Sequence, residues 1–362
     1  MFALNSSNGD GNVAMGYSAL LNNNTSNNTA VGFEAAFSNT GGTEITAIGY
    51  RALKNSTGNS NTAIGERSMQ ANTTGTQGTA LGSFSLASNT TGNYNVAMGR
   101  EALSSNTSGS YNTSIGTFSL ANNTASNNTA VGYEAAFSNT SGTNITALGY
   151  QALRLSTGST NTAVGYTSLT SNTTGTSNTA LGVDSLYYNS TGSSNTAIGT
   201  STLVANVSGS RNTAVGQLSL LNNTASNNTA IGYEAANGNT SGTEITAIGY
   251  QALKTSTGNR NTAVGYLALT GTTTGDFNTS LGAFSAYLNT IGVENTAIGY
   301  NTQTNNFSSS VIIGKDAAST GNNQFVVGSA TTNSGSVVAG ANVSSQYWNV
   351  IINGVAQKIL LA

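Results

Sequence analysis

The sequence predicts an all-β protein in which the chain winds into a parallel β-roll or β-helix solenoid of about twenty turns. Three observations predict this fold. A four-residue pattern, Thr-Ala-aliphatic-Gly, returns every 16 or 17 residues along the chain. That interval is too short for a pair of helices, and the pattern lacks a 3.6-residue period. The chain contains no proline, so every turn can donate backbone N–H groups to its neighbour.

The glycine that ends each copy of the pattern marks one turn of the solenoid. Two looser copies, ending at Gly314 and Gly328, follow the regular ones. We expect these glycines to supply a backbone conformation, or a closeness of approach, that a Cβ atom would forbid. The glycines of the regular copies are Gly16, Gly32, Gly49, Gly65, Gly82, Gly99, Gly116, Gly132, Gly149, Gly165, Gly182, Gly199, Gly216, Gly232, Gly249, Gly265, Gly282 and Gly299.

A longer repeat of 100 residues lies above the short one. The chain therefore divides into three duplicated blocks of six turns, at about 16–115, 116–215 and 216–315. We expect the repeats to occupy 1–328 and a separate C-terminal segment to occupy 329–362. Growth by duplication is typical of a part whose length matters more than any single site.

One turn, illustrated by 157–173, is predicted to contain two short strands and two turns. Asn161 to Val164 is strand-like, Gly165 interrupts it, and Tyr166 to Leu169 is predicted to form a second short strand. Residues 171–177 have the composition of a turn. If equivalent strands stack about 4.8 Å apart, twenty turns span roughly 95 Å.

The first strand carries alanine on one side and an aliphatic residue on the other, because side chains alternate along a strand. Both sides are low in polarity, so we expect one to line the coil and the other to need a partner. Three chains around a common axis would bury the second side. The uniform alanine row suits close approach between chains, although the sequence leaves open which face is axial. Asparagine stands four residues before most of the glycines, which predicts a hydrogen-bonded asparagine ladder.

Composition excludes several functions. The chain has no cysteine and no histidine, which removes thiolate and imidazole chemistry and the usual zinc ligands. Ten Lys and Arg against twelve Asp and Glu give no basic stripe for nucleic acid. No stretch of about 18 apolar residues predicts a membrane span, and the N-terminal residues do not read as a secretory signal. We therefore expect no enzymatic activity, no cofactor, no metal, no nucleic-acid partner and no membrane insertion.

Over roughly 12–328 the repeats resemble the head repeats of YadA-like trimeric autotransporter adhesins, whose pattern is close to N-[ST]-x-A-[IV]-G. The resemblance implies a left-handed parallel β-roll in an obligate homotrimer. The turns here are longer than the family's, and we expect neither a heptad stalk nor a C-terminal membrane β-barrel from this sequence. Proteins with YadA-like repeats also resemble structural proteins of tailed phages, including cyanophages, and of other large viruses.

A phage or viral setting is therefore the one we expect. The predicted function is a trimeric structural fibre on a virion surface, projecting from a capsid or tail, that acts as a rigid spacer or a host-attachment device. Its partners would be two further copies of itself, an anchoring virion or surface protein and possible host polysaccharide. The alternatives are the head of a bacterial surface adhesin that lacks its anchor, and a self-assembling extracellular filament.

Aromatic residues that follow the repeat glycines are candidates for surface binding. Exposed rings of this kind stack against sugars; the alternative is that they stack on each other as part of the surface of the rod. The six residues that cluster in consecutive turns are Tyr133, Tyr150, Tyr166, Tyr233, Tyr250 and Tyr266.

The carboxylates Glu34, Glu134 and Glu234 recur at block spacing, with Glu44 and Glu244 nearby. They raise the possibility of a cation site, but a calcium site needs several convergent oxygens. We therefore expect them to lie on a solvated surface.

The C-terminal segment contains the only tryptophan, Trp348, and two short apolar runs around Asn353-Gly354. Asn-Gly between such runs predicts a β-hairpin. It would cap the last coil or lock the trimer; the alternative is a docking or trimer-nucleation module.

Overall fold

The computed structural model describes residues 9–329 and, as backbone only, the strands 347–352 and 355–360. This part of the chain is all-β and contains no helix. The prediction of an all-β solenoid is confirmed.

Twenty short strands, one in each coil, are followed by two longer ones near the C-terminus. In chain order the strands are β1 Val13–Met15, β2 Thr29–Val31, β3 Thr46–Ile48, β4 Thr62–Ile64, β5 Thr79–Leu81, β6 Val96–Met98, β7 Thr113–Ile115, β8 Thr129–Val131, β9 Thr146–Leu148, β10 Thr162–Val164, β11 Thr179–Leu181, β12 Thr196–Ile198, β13 Thr213–Val215, β14 Thr229–Ile231, β15 Thr246–Ile248, β16 Thr262–Val264, β17 Thr279–Leu281, β18 Thr296–Ile298, β19 Val311–Ile313, β20 Phe325–Val327, β21 Tyr347–Ile352 and β22 Val355–Leu360.

The first twenty strands form one parallel sheet in which each strand pairs with the strand of the next coil. The register places equivalent residues side by side, as where Ala163 of β10 pairs with Ala180 of β11. The chain therefore completes about nineteen turns between β1 and β20. At about 4.8 Å per strand the sheet is roughly 90 Å long.

The middle residue of a strand, which is alanine in sixteen of the first twenty strands, points into the coil. Ala163 and Ala180 are fully buried, and they belong to the same continuous core as Leu169 and Leu186, which lie four residues after their glycines. A narrow coil that holds a leucine in most turns has room for only a small residue on the facing strand. This is why the strand carries alanine at that position.

The predicted second strand at Tyr166 to Leu169 is wrong. The segment is a turn in which Thr167 and Leu169 have positive φ angles of 50° and 52°. Ser168 and Leu169 are both fully buried, which the alternation of an extended strand would not allow. The left-handed residues turn the chain inward, and coil-to-coil hydrogen bonds such as Leu169 N–H to the Ser185 carbonyl, 2.9 Å, help to offset their strain.

The repeat glycines perform both predicted roles. Gly82 has a φ of +137°, a region that side chains rarely adopt, and a Cβ atom there would lie 2.6 Å from the Gly99 carbonyl oxygen. The chain can therefore pass from strand to turn in close contact with the next coil only because glycine stands at this position.

The predicted asparagine ladder is confirmed, and a second one accompanies it. In the predicted ladder the Asn161 Oδ1 accepts from the Asn178 backbone N–H at 2.9 Å, so each amide ties its coil to the next coil's main chain. The second ladder lies seven residues after the glycines, where the Asn89 Nδ2 donates to the Asn72 Oδ1 at 2.8 Å. All four side chains are fully buried. The two ladders pair polar groups inside a core that would otherwise leave backbone groups unsatisfied.

Near the C-terminus, β21 and β22 pair antiparallel, with Trp348 opposite Ile359. The predicted pair of strands is therefore present. The turn residues Asn353-Gly354 and the side chain of Trp348 lie outside the described residues. The capping or docking role of this segment stays a prediction, as does the left-handed winding of the solenoid.

Candidate functional site

The outward side of the parallel sheet is the most extensive candidate surface, and we call it the strand face. It consists of the first and third residue of each of β1 to β20, usually a threonine and an aliphatic residue. None of these strands contains a charged residue. Large aliphatic residues that are at least 36% exposed at the third position are Met15, Ile48, Leu81, Met98, Ile115, Val131, Leu181, Ile231, Ile248, Leu281, Ile298, Ile313 and Val327.

The structure shows which side of the strands faces the coil interior, a point that the sequence left open. The alanine row lies inside its own coil, so the idea that it packs between chains is wrong. The threonine and aliphatic rows face outward instead, because the coil interior has no space for branched side chains opposite its leucines. A single chain therefore exposes an uncharged, largely apolar stripe along the whole sheet. Exposed apolar patches larger than a few hundred Å² mark interaction surfaces.

The candidate tyrosines form two stacked groups of three. Tyr133, Tyr150 and Tyr166 stack with ring centroids 5.4 and 5.1 Å apart and planes within 13° of parallel. The equivalent residues of the third block, Tyr233, Tyr250 and Tyr266, repeat the arrangement at 5.4 and 5.1 Å. In the first block Tyr17, Phe33 and Tyr50 stack likewise.

This stacking matters for sugar binding. All six tyrosines are exposed, but the middle ring of each group has both faces covered by its neighbours. Sugars stack on ring faces, so only a ring at the end of a group has a free face to offer. Sugar binding by these tyrosines stays a prediction, and the candidates are now the rings at the ends of each stacked group.

The recurring glutamates pair with cations from the next coil. The Glu34 carboxylate lies 2.8 Å from both the Arg51 Nε and the Lys54 Nζ, and Glu234 lies 2.6 Å from the Lys254 Nζ. The hydrogen bond from Lys54 lowers the pKa of Glu34, and the hydrogen bond from Lys254 likewise lowers the pKa of Glu234. The sequence missed these pairs because the partners lie 17 to 20 residues apart and meet only when the chain is coiled.

The carboxylates do not gather into a cation site. Within the described residues no three of Asp, Glu, Cys and His come close enough together to hold a metal ion. Glu44 accepts a hydrogen bond from the Ser60 hydroxyl, and Glu244 pairs with Arg260 at 2.7 Å. These are separate surface contacts rather than one site.

A groove of about 650 Å³ lies in the middle block, where the stacked group ending at Tyr166 stops. Its lining includes Tyr150, Asp184, Tyr187 and Tyr188. A smaller groove of about 350 Å³ lies at the corresponding place in the first block, beside Phe84. No feature of the sequence by itself pointed to either groove.

The described residues include no helix long and apolar enough to cross a membrane. Comparison with protein-family models and with curated proteins gives no match. The resemblance to YadA-like repeats therefore rests on the repeat pattern itself. Its regular, in-register coils identify the chain as a parallel β-solenoid repeat protein.

Proposed function

We propose that the chain is the subunit of a rigid homotrimeric fibre that acts as a structural spacer and attachment device at an outer surface. The observation that carries the proposal is the strand face, an uncharged stripe that runs through all twenty coils with its aliphatic residues partly exposed. A stripe of this length in water is costly, and a second copy of the same chain would cover it along its whole length. Self-association is therefore the simplest way to bury it.

Three copies are the number that the YadA-like resemblance implies. The strand face is only two side-chain rows wide, with threonine and an aliphatic residue on either side of the inward alanine. Three such narrow faces around one axis enclose a continuous apolar core and leave the remaining faces of each coil in water. A trimer of parallel rods also keeps equivalent coils at the same height, so the aliphatic rows meet in register.

Rigidity follows from the way successive coils are tied together. Each coil is joined to the next by the parallel sheet, by backbone hydrogen bonds in the turns and by the two asparagine ladders. Bending such a rod would stretch the contacts between coils on one side and compress those on the other. A length of roughly 90 Å set by coil number is what a spacer needs.

The setting that the resemblance favours is a virion surface, on a capsid or tail, with an anchoring virion protein as a further partner. Negative-stain microscopy of the purified chain tests the architecture. Discrete rods of about 90 to 100 Å are expected; continuous filaments would instead support end-to-end assembly. Immunolabelling of the source particle tests the location.

The oligomeric state is tested by light scattering coupled to size exclusion. A trimer gives about 109 kDa, three times the 36.4 kDa of one chain. A mass near one or two chains across the accessible concentration range would refute the trimer.

Cross-linking tests which surface is used. The chain has no native cysteine, so Leu181→Cys on the strand face and Val207→Cys on the outer turn each introduce a single thiol. Both positions are about half exposed in one chain, at 45% and 50%. Oxidation is expected to cross-link chains rapidly through L181C and not through V207C. The reverse result would place the interface elsewhere.

A further inference from the structure

The groove beside Tyr166 is larger than the groove at the corresponding place in the first block, and its lining differs. It is built from residues one, two, five and six positions after the repeat glycines, and none of its lining residues lies on the strand face. Burying the strand face in a trimer therefore requires none of the residues that line the groove.

Asp184 is the residue that distinguishes this groove from the equivalent position of the third block. Its counterparts in the other blocks are Phe84 and Phe284, and all three positions have nearly the same left-handed φ, between 53° and 57°. The Phe284 ring packs edge-to-face against Tyr266, at a centroid distance of 5.3 Å, and Tyr287, at 5.9 Å. Compared with the third block, aspartate at this position has a short carboxylate where the Phe284 ring packs, and the space beside Tyr166 and Tyr187 is left unfilled.

The walls of the groove are aromatic in the middle block. Tyr166 ends its stacked group, because the next coil has Val183 where another ring would stand, and it is 54% exposed. Tyr187 and Tyr188 meet edge-to-face at 4.7 Å, and Tyr188 is 55% exposed. In the first block the last two positions are Ala87 and Ser88, so its smaller groove lacks these walls.

The polar groups at the groove are held in place. The Thr167 hydroxyl donates to the Asp184 carboxylate, which fixes that group at the wall. The Gln151 Nε2 donates to the Glu134 Oε2 at 2.9 Å, which orients the Gln151 amide. Asp184 is the only charged residue of the lining. A carboxylate and an amide accept hydrogen bonds from hydroxyl groups, and the negative charge disfavours an anionic ligand.

The groove is elongated along the solenoid axis. Its lining runs from the coil of Tyr150 to the coil of Leu221, five successive coils, or about 19 Å at the usual strand spacing. A site for one quaternary ammonium group would instead close its rings around a cation within about 6 Å. The exposed rings of Tyr166 and Tyr188, a few oriented polar groups and this length fit several linked sugar rings.

We propose that this groove, formed by Tyr150, Gln151, Tyr166, Asp184, Tyr187 and Tyr188, binds a neutral oligosaccharide. The biological purpose of such binding rests on the proposed attachment role. The choice of a neutral oligosaccharide as ligand is argued from the groove alone.

The test uses the full-length protein, screened on an array of neutral, sialylated and uronate-containing oligosaccharides. Saturation-transfer NMR with the best neutral hit, and with choline chloride, then measures binding in solution. Binding confined to neutral oligosaccharides is expected. The absence of any neutral hit, a preference for anionic sugars, or binding of choline alone would overturn the proposal.

Two variants borrow residues from the duplicate blocks, so the fold already accommodates them. Asp184→Phe refills the groove as Phe284 does, and Tyr188→Ser removes a wall as Ser88 does. Each is expected to weaken binding at least tenfold. Tyr111→Ser, at a tyrosine 59% exposed and outside the groove, is the matched control and is expected to bind as the parent does. Unchanged affinity in D184F would overturn the proposal.

The mass of each sample, measured in parallel, separates this inference from the proposed fibre. A trimer that binds no oligosaccharide would overturn the groove proposal and leave the fibre intact. A monomer that binds would overturn the trimer and support the groove.

Discussion

Placing aspartates on the strand face should dissociate the fibre. Leu81, Leu181 and Leu281 occupy equivalent positions in the three blocks and are 41%, 45% and 49% exposed in a single chain. The triple variant L81D/L181D/L281D replaces apolar contacts with charges at three heights along the rod. Since these side chains point away from the coil interior, the solenoid core of each chain is left untouched.

The magnitude follows from the exposed surface. Burying a whole leucine contributes about 1.5 to 3 kcal/mol, so burying the remaining half contributes about 1 kcal/mol. With three leucines in each of three chains the loss is about 9 kcal/mol, before the cost of desolvating the new carboxylates. At about 1.4 kcal/mol per tenfold, the association weakens by roughly a millionfold or more.

The assay is sedimentation equilibrium over a concentration series, with circular dichroism to follow secondary structure. The control carries the same added charge on exposed apolar residues away from the strand face, as V207D/L288D/I291D. The parent and the control are expected to sediment as trimers, and the strand-face variant as monomer or unfolded chain. If the strand-face variant stayed trimeric with a native spectrum, the strand face would not be the interface.

Three further predictions concern the single chain. Gly82→Ala is expected to lower the melting temperature strongly. A side chain at its φ of +137° costs about 1 to 3 kcal/mol, and the added Cβ would lie 2.6 Å from a carbonyl oxygen. Gly321→Ala is the control and should change the melting temperature little, because its Cβ would meet only a flexible side chain. Asn89→Ala should lower the free energy of unfolding measured in urea by about 1 to 3 kcal/mol, because two buried acceptors lose the Asn89 amide donor. An unchanged urea midpoint would show that the asparagine ladder does not stabilise the fold. The pKa of Glu34 is lowered from its ordinary 4.5, first by the Lys54 hydrogen bond. Its small stabilisation is therefore present above pH 4.5 and lost as the pH falls through the lowered value, so E34Q and the parent should converge in stability at low pH.

The sequence by itself determined the repeat, and with it most of the fold. The spacing of the glycines predicted the coils, their register and the length of the rod. A backbone that needs glycine at one place in every turn produces a sequence in which glycine recurs with the period of the turn. It also predicted the first asparagine ladder, since a buried polar row must find partners within the stack.

The sequence could not decide which side of the strand faces inward. Alternation shows that Ala163 and Val164 point to opposite sides, but it does not say which side is the interior. That choice depends on the space left by Leu169 and its equivalents, which reach the core through left-handed turns that no strand period predicts. The same turns explain why Tyr166 to Leu169 was wrongly predicted as a second strand.

Contacts between coils were likewise decided only by the tertiary structure. The pair of Glu34 and Arg51 and the groove beside Asp184 join residues about 17 positions apart, whose neighbourhood exists only once the coil height and turn geometry are fixed. The repeats could be recognised from the sequence because the same backbone conformation requires the same residues at every turn. The groove could not be recognised from the sequence, because it arises where side chains of the middle block differ from those of its duplicates and leave space between them.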